Sequence, residues 1–316
     1  MPRIKIRWPE GKSFAFTIVD DTDRSTLDRI KPVYDFLREN DFRTTKTVWP
    51  LKALGEPITG GDTLEDEEYR KWVMELRSQG FEIALHGIAD ETSPRQRVER
   101  GLALYRQWLG EDSRMHVNHV GQQDAVYWGA ARFDGPLRWM YWLYRKYRRS
   151  DVSSFGHRPG DDRFWGDLCL RQIRYVRNFV FPDILTTAAD PFMPYHDPAR
   201  PYVKYWYSAS YGSGIENFLR LISESNQDRL ASEGGACIVY THLGSTFYPL
   251  HPEFRRLMTR MSRLPGWFVP ASTLLDHLGE QRRWQDVSRR RLSFASMQYR
   301  WAFQQYQRAR AARRGR

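Results

Sequence analysis

Acids and imidazoles recur in this chain at the ends of short apolar runs. Asp20, Asp21 and Asp23 close the stretch Ser13 to Asp23, SFAFTIVDDTD. His86 follows FEIAL, with Asp90 four residues on. Asn118-His119 follows the short run Met115 to Val117, and His242 follows ACIVY. A carboxylate with imidazoles is a ligand set for a divalent transition metal. Neighbouring carboxylates repel each other, so a cation or a proton normally neutralises one of them. The plainer alternative is an Asp-rich turn in which Asp23 caps a helix beginning near Arg24.

Such residues meet only if the runs are strands of one sheet. A short apolar run bounded by turn signals reads as a buried strand. In α/β folds the C-terminal ends of parallel strands converge on one face, where ligands collect. Phe14 to Val19 is the first candidate strand, Thr44 to Trp49 the second, Phe81 to Leu85 the third and Met115 to Val117 the fourth. Ala236 to Tyr240 and Trp267 to Val269 are late strands. Helical spacing marks 25–40, interrupted by Pro32, which starts or kinks that helix. Helices are also predicted over Glu65 to Gln79, behind a Thr63-x-x-Asp66 capping box, and over Pro94 to Leu109. Further short helices are expected over Ile215 to Ser223, Pro252 to Arg263 and Ala271 to Leu278. Tyr127 to Tyr207 is rich in aromatics and arginines and resists assignment, with an irregular connection over Pro191 to Pro201. The alternation of strand and helix predicts a parallel α/β architecture.

The chain has 316 residues, enough for one large domain, and a net charge of +11. Eleven arginines and one acid, Asp286, lie between Arg282 and Arg316, so this tail carries +10 and the body only +1. The boundary falls near Gly279, giving a domain over 1–279 and an arginine-rich aromatic extension over 280–316. The extension is expected to be an amphipathic helix that packs on the body and then frays, or that rests on anionic lipid. No recognised nucleic-acid motif accompanies the arginines, which argues against nucleic acid as a partner. Cys169 and Cys237 form no CxxC pair and no disulfide framework. No stretch reaches membrane-span length and the start lacks an apolar signal region. The expectation is a cytoplasmic protein whose tail can lie at the inner membrane.

Taken in order, these features resemble the polysaccharide deacetylases of the NodB-homology type. The likeness runs from about Phe14 to Leu278. FTIVDDTD resembles the family's TFDDG, which implies Asp20 as general base and Asp21 as metal ligand. HGIAD resembles H-[ST]-x-x-H, which implies His86 as a ligand, with Asp90 in place of the second histidine. IVYTH resembles the late L-x-H motif and implies His242 as general acid. NHVGQQDAVYWG sits where R-x-P-x-G is expected and keeps only the glycine, Gly121. Arg174 or Arg177 is a substitute for the missing arginine. Trp165 and Asp167 resemble the family's tryptophan motif, and FVPASTLLDHL its usual ending. The fold implied is an irregular barrel of about seven βα units, related to the TIM barrel.

The function implied is metal-dependent removal of an N-acyl group from an amino sugar of a glycan or glycan precursor. The metal set is Asp21, His86 and Asp90, with His119 as an alternative third ligand. Zinc is the first choice of ion, with manganese, iron or magnesium as alternatives because Asp90 makes the site harder. Asn118, His119, Tyr127, Trp128, Trp165, Asp167 and Arg174 are the candidate carbohydrate-binding residues, the aromatics as stacking platforms. Three rival readings stand beside this one. The first is a glycoside hydrolase using Asp20 with Asp90 or Asp167. The second is a sugar-binding relative with a decayed metal site. The third is a lipid-surface protein directed by the tail.

Overall fold

A computed structural model describes residues 6–147 and 153–314. Seven parallel strands close on themselves. In chain order they are β1 (Phe14–Asp20), β2 (Thr45–Val48), β3 (Glu82–Leu85), β4 (Met115–His116), β5 (Tyr175–Phe181), β6 (Tyr205–Tyr211) and β7 (Ala236–Thr241). Each pairs with the next, and β7 returns to pair with β1 over six residues, from Ala15 opposite Ala236 to Asp20 opposite Thr241. This is the barrel the motif order implied. Every residue of β1 is buried, as expected of a parallel strand covered on both faces.

The early helices follow their apolar spacing. The first, Leu27–Glu39, runs through Pro32 and buries Ile30, Val33, Tyr34 and Leu37 against the barrel. Glu67–Ser78 is preceded by half of a capping box, in which the Asp66 carboxylate accepts from the Thr63 N–H at 3.0 Å. Arg95–Leu109 stops at Gly110, whose φ of 76° suits glycine.

The aromatic-rich middle holds two barrel strands, β5 and β6, that periodicity did not resolve. A short helix, Gly166–Gln172, feeds β5. One seam of the barrel is incompletely zipped. β6 and β7 pair only at Ser210–Val239 and Tyr211–Tyr240. Below that point the short helix Thr186–Ala189 wedges between them. Its Thr186 hydroxyl accepts from the Ile238 N–H at 2.9 Å, and the Thr187 hydroxyl from the Ala236 N–H at 3.0 Å.

The C-terminal extension is a helix, Arg291–Arg314, laid along β5. Phe294, Met297 and Trp301 are buried. Trp301 donates its indole N–H to the Val180 carbonyl at 2.9 Å and packs on Phe133 and Phe179. The buried Arg132 guanidinium lies 4.0 Å from the centre of the Trp128 ring and 5.4 Å from that of Trp301. Burial lowers the pKa of this arginine to about 10. No helix among the described residues is long and apolar enough to cross a membrane.

Candidate metal centre

The strand ends bring the acids and imidazoles together. Asp20 is the last residue of β1, and Asp21 and Asp23 follow it. His86 follows β3, His119 lies three residues beyond β4, and His242 follows β7.

The three carboxylates are partnered in three different ways. Asp20 is fully buried. It faces the Lys46 ammonium at 3.1 Å and accepts from the Tyr34 hydroxyl at 3.2 Å and the Leu243 N–H at 2.7 Å. Burial raises its pKa more than Lys46 lowers it. Asp21 meets Arg177 of β5 in a two-pronged ion pair of 2.8 and 2.5 Å. Burial pushes the Asp21 carboxyl up, but Arg177 first and then His86 hold it below the ordinary carboxylate range. Asp23 has no lysine or arginine partner among the described residues. Instead three imidazoles surround it. His86 Nε2 stands at 3.0 Å, His119 Nε2 at 3.4 Å and His242 Nε2 at 3.4 Å. Burial raises the Asp23 pKa, and hydrogen bonds from His119, His242 and His86 more than reverse the effect. Burial lowers the pKa values of His119 and His242, but hydrogen bonds to Asp23 leave both above the usual histidine value.

Asp23, His86 and His119 offer ligand atoms that all lie within 4.8 Å of one another. The expected set was Asp21 and His86 with Asp90, or alternatively His119, as third ligand; the side chains bring together His86 and His119 and put Asp23 in the place of Asp21. Asp21 Oδ2 is 4.0 Å from His86 Nε2, close to the cluster, but both of its oxygens are engaged by Arg177. Asp90 spends Oδ2 on the Thr59 N–H at 2.6 Å, the Thr59 hydroxyl at 3.1 Å and the Gly60 N–H at 2.7 Å. Its other oxygen stays 3.9 Å from His119 Nε2. The donor set fits a divalent cation. One carboxylate and two imidazoles suit zinc, and the only positive charges facing Asp23 among the described residues are those that imidazoles can carry.

Asp90 nevertheless helps to build the site. The loop it anchors turns a carbonyl back to the Asp23 turn, where the Gly60 oxygen accepts from the Arg24 N–H at 2.7 Å. The Asp62 N–H reaches the Ser25 oxygen at 2.8 Å. Gly61, at φ 137°, permits that approach, since a Cβ there would stand 2.9 Å from the Ser25 oxygen. The turn carrying Asp23 is thus braced from a loop that Asp90 holds. Trp49, fully buried after β2, orients both histidines. Its ring stacks on His86 at 6.0 Å and meets the edge of His119 at 6.1 Å. Neither histidine Nδ1 has a hydrogen-bond partner among the described residues, so packing against Trp49 does much of the orienting.

The remaining candidates are spread around the site. Asn118 is buried and holds its own loop, bonding the Val126 N–H at 2.9 Å, the Val126 carbonyl at 3.1 Å and His116 at 3.1 Å. Tyr127, at φ 51°, packs on His157 and Trp206. Trp128 lines a cavity of about 330 Å³ with Arg138, Trp139 and Trp142. Trp165 is buried edge-on against His116 and donates to the Asp124 carbonyl at 2.7 Å. Asp167 forms a bidentate pair with Arg95 at 2.6 and 2.9 Å. Arg174 precedes β5 at the opposite end of the barrel and pairs with Asp276 at 3.2 Å. Arg177 is therefore the arginine that reaches the acids. For the rival two-acid chemistry, Asp20 and Asp167 are held in ion pairs and Asp90 in its loop. Asp23 and Lys46 were missed as site residues. Asp23 looks like a helix cap, and the only signal for Lys46 is a lysine inside the β-branched run TTKTVW.

No family model matches the chain, and no curated protein does. Solved structures do match. One described as a probable polysaccharide deacetylase from Pseudomonas aeruginosa PAO1 aligns with a TM-score of 0.50 at 11% identity, over 88% of this chain and 95% of that one. PuuE allantoinase aligns with a TM-score of 0.50 at 11% identity, over 86% of this chain and 92% of that one. The chain shares the fold of these proteins, the deacetylase-type (β/α)7 barrel that its motifs resemble.

Proposed function

We propose that the chain is a metal-dependent hydrolase that removes an N-acyl group from an amino sugar. The observation that carries this reading is the Asp23–His86–His119 cluster standing beside the Asp21–Arg177 pair at the C-terminal mouth of the barrel. Asp23, His86 and His119 hold the cation, zinc being the first choice. A divalent ion bound there would polarise the acyl oxygen and acidify water. Asp21 is the general base. Arg177 fixes its orientation, and Asp21 Oδ2 lies 4.0 Å from His86 Nε2. Asp20, which the motif resemblance implies for that role, instead forms the floor of the site with Lys46 and Tyr34. His242 keeps more exposure than the ligand histidines, with its Nδ1 3.3 Å from the Ser213 hydroxyl. From there it delivers a proton to the departing amine. The sugar class rests on the motif resemblance and the shared fold.

Metal content by mass spectrometry, paired with acetate release from N-acetylated glucosamine oligomers, tests the assignment. Asp23→Asn, His86→Ala and His119→Ala each lose bound metal. Asp21→Asn and His242→Ala keep it and lose turnover by about 10²-fold or more, the usual contribution of a positioned acid or base. Full metal retention in Asp23→Asn and His119→Ala overturns the ligand set.

A further inference from the structure

The loop after β4 carries the helix Gly135–Tyr147, GPLRWMYWLYRKY. A helix of a globular protein normally buries an apolar stripe, yet Leu137 is the only residue of this one that is buried. Trp139 is 63% exposed, Met140 55% and Tyr147 85%, and Trp142, Leu143 and Tyr144 are exposed with them. Arg138 and Lys146 are exposed on the same helix, which contains no acid. The nearest acid before it, Asp134, is already bonded to Arg200 at 3.0 Å.

The C-terminal helix packs beside this one. Tyr141 touches Trp301 at 6.0 Å between ring centres. Beyond that contact Phe303 and Tyr306 are 59% and 53% exposed, among arginines and with no acid after Asp286. The far part of the C-terminal helix reaches the mouth of the barrel. Arg308 lies 3.6 Å from the centre of the Tyr211 ring, Tyr211 packs on Tyr240, and Tyr240 on His242.

We propose that the helix Gly135–Tyr147 and the exposed face of the C-terminal helix form one docking surface for an anionic phospholipid bilayer. Tryptophan and tyrosine settle at the headgroup level, and arginine and lysine among them attract anionic lipid. A second copy of the chain is a poor occupant, because it would bring a like-charged surface against this one. Docking turns the barrel mouth towards the bilayer surface. It depends on neither the metal centre nor the deacetylase reading.

Co-sedimentation of the full chain with vesicles tests this. The chain binds phosphatidylcholine vesicles containing phosphatidylglycerol, does not bind phosphatidylcholine alone, and detaches in high salt. The variant W139A/L143A/Y147A removes the apolar anchors and R138E/K146E reverses the charge. Each weakens binding by about tenfold or more. The altered residues are exposed, so both variants keep the wild-type unfolding midpoint. Failure of the wild type to sediment with anionic vesicles overturns the proposal, as does undiminished binding by both variants. So does a dimer in light scattering that W139A/L143A/Y147A dissolves without any vesicle binding.

Discussion

Asp21 and Arg177, separated by 156 positions, meet through two parallel hydrogen bonds inside the barrel mouth, where both are buried. Arg177 comes from the middle of β5, and Asp21 sits just past the end of β1. The pair therefore ties two strands that are not neighbours in the barrel. A planar guanidinium gripping both oxygens also fixes the plane of the carboxylate.

Removing one partner leaves the other charge buried and alone. Arg177→Met should destabilise the fold by about 3–5 kcal/mol. The double variant Asp21→Asn with Arg177→Met should lose clearly less than the two single losses added together. Urea unfolding of the four proteins measures this coupling. Strict additivity would mean that the pair has no energetic link.

Trp49 packs against both ligand histidines. Trp49→Phe keeps an aromatic ring but shortens its reach. Zinc affinity should fall by about 10- to 100-fold, as when outer-shell support for a metal ligand is lost. Zinc titration by calorimetry checks this, with the unfolding midpoint measured alongside. An unchanged affinity would assign the orienting role elsewhere.

His116, bonded to Asn118 beside the cluster, gives a pH signature of its own. Burial lowers its pKa to about 3, against about 6.5 in an unfolded chain. The folded state therefore resists a proton that the unfolded state accepts. Above pH 6.5 both forms are neutral and His116 has no effect. As pH falls from about 6.5 towards 3, stability is progressively lost, on the order of a few kcal/mol in all. His116→Phe can keep the edge contact with Trp165 and cannot titrate. Its stability relative to wild type should improve steadily over that window. A parallel pH dependence in the two proteins would remove His116 as a source of acid sensitivity.

Trp301 tests whether the C-terminal helix belongs to the barrel. It is 5% exposed and bridges Phe133, Phe179 and Arg132. Trp301→Ala should cost about 3–5 kcal/mol. The loss should appear as a lower midpoint of a single transition. An early separate transition, with the barrel's own midpoint preserved, would make the helix an independent appendage.

Much of this was legible because β1, β3 and β7 are short apolar runs that end abruptly in acids or histidines. The same signal fails for β5 and β6. YVRNFVF places Arg177 and Asn178 in mid-strand, and YWYSASY mixes aromatics with serines, so neither reads as a continuous buried run. At the site, strand ends identified the neighbourhood but not the individual atoms. Asp21 and Asp23 are both carboxylates just past β1, and the loop 58–61, distant in sequence, decides which one faces the histidines. Asp90 keeps a histidine's spacing after His86, yet the backbone N–H groups of Thr59 and Gly60 claim it. Arg174 and Arg177 differ by three positions, which along a strand separates the bottom of a barrel from its interior.

The half-zipped seam between β6 and β7 has a further consequence. Where two threonine hydroxyls stand in for a neighbouring strand, a small shift of one short helix releases the Ala236 and Ile238 amides without breaking any main-chain ladder. Hydrogen exchange should therefore begin there, well ahead of the β1 amides. His242 follows the far end of that same strand, so the residue proposed to deliver the last proton is carried by the strand whose start is held by side chains and not by a full ladder on that side.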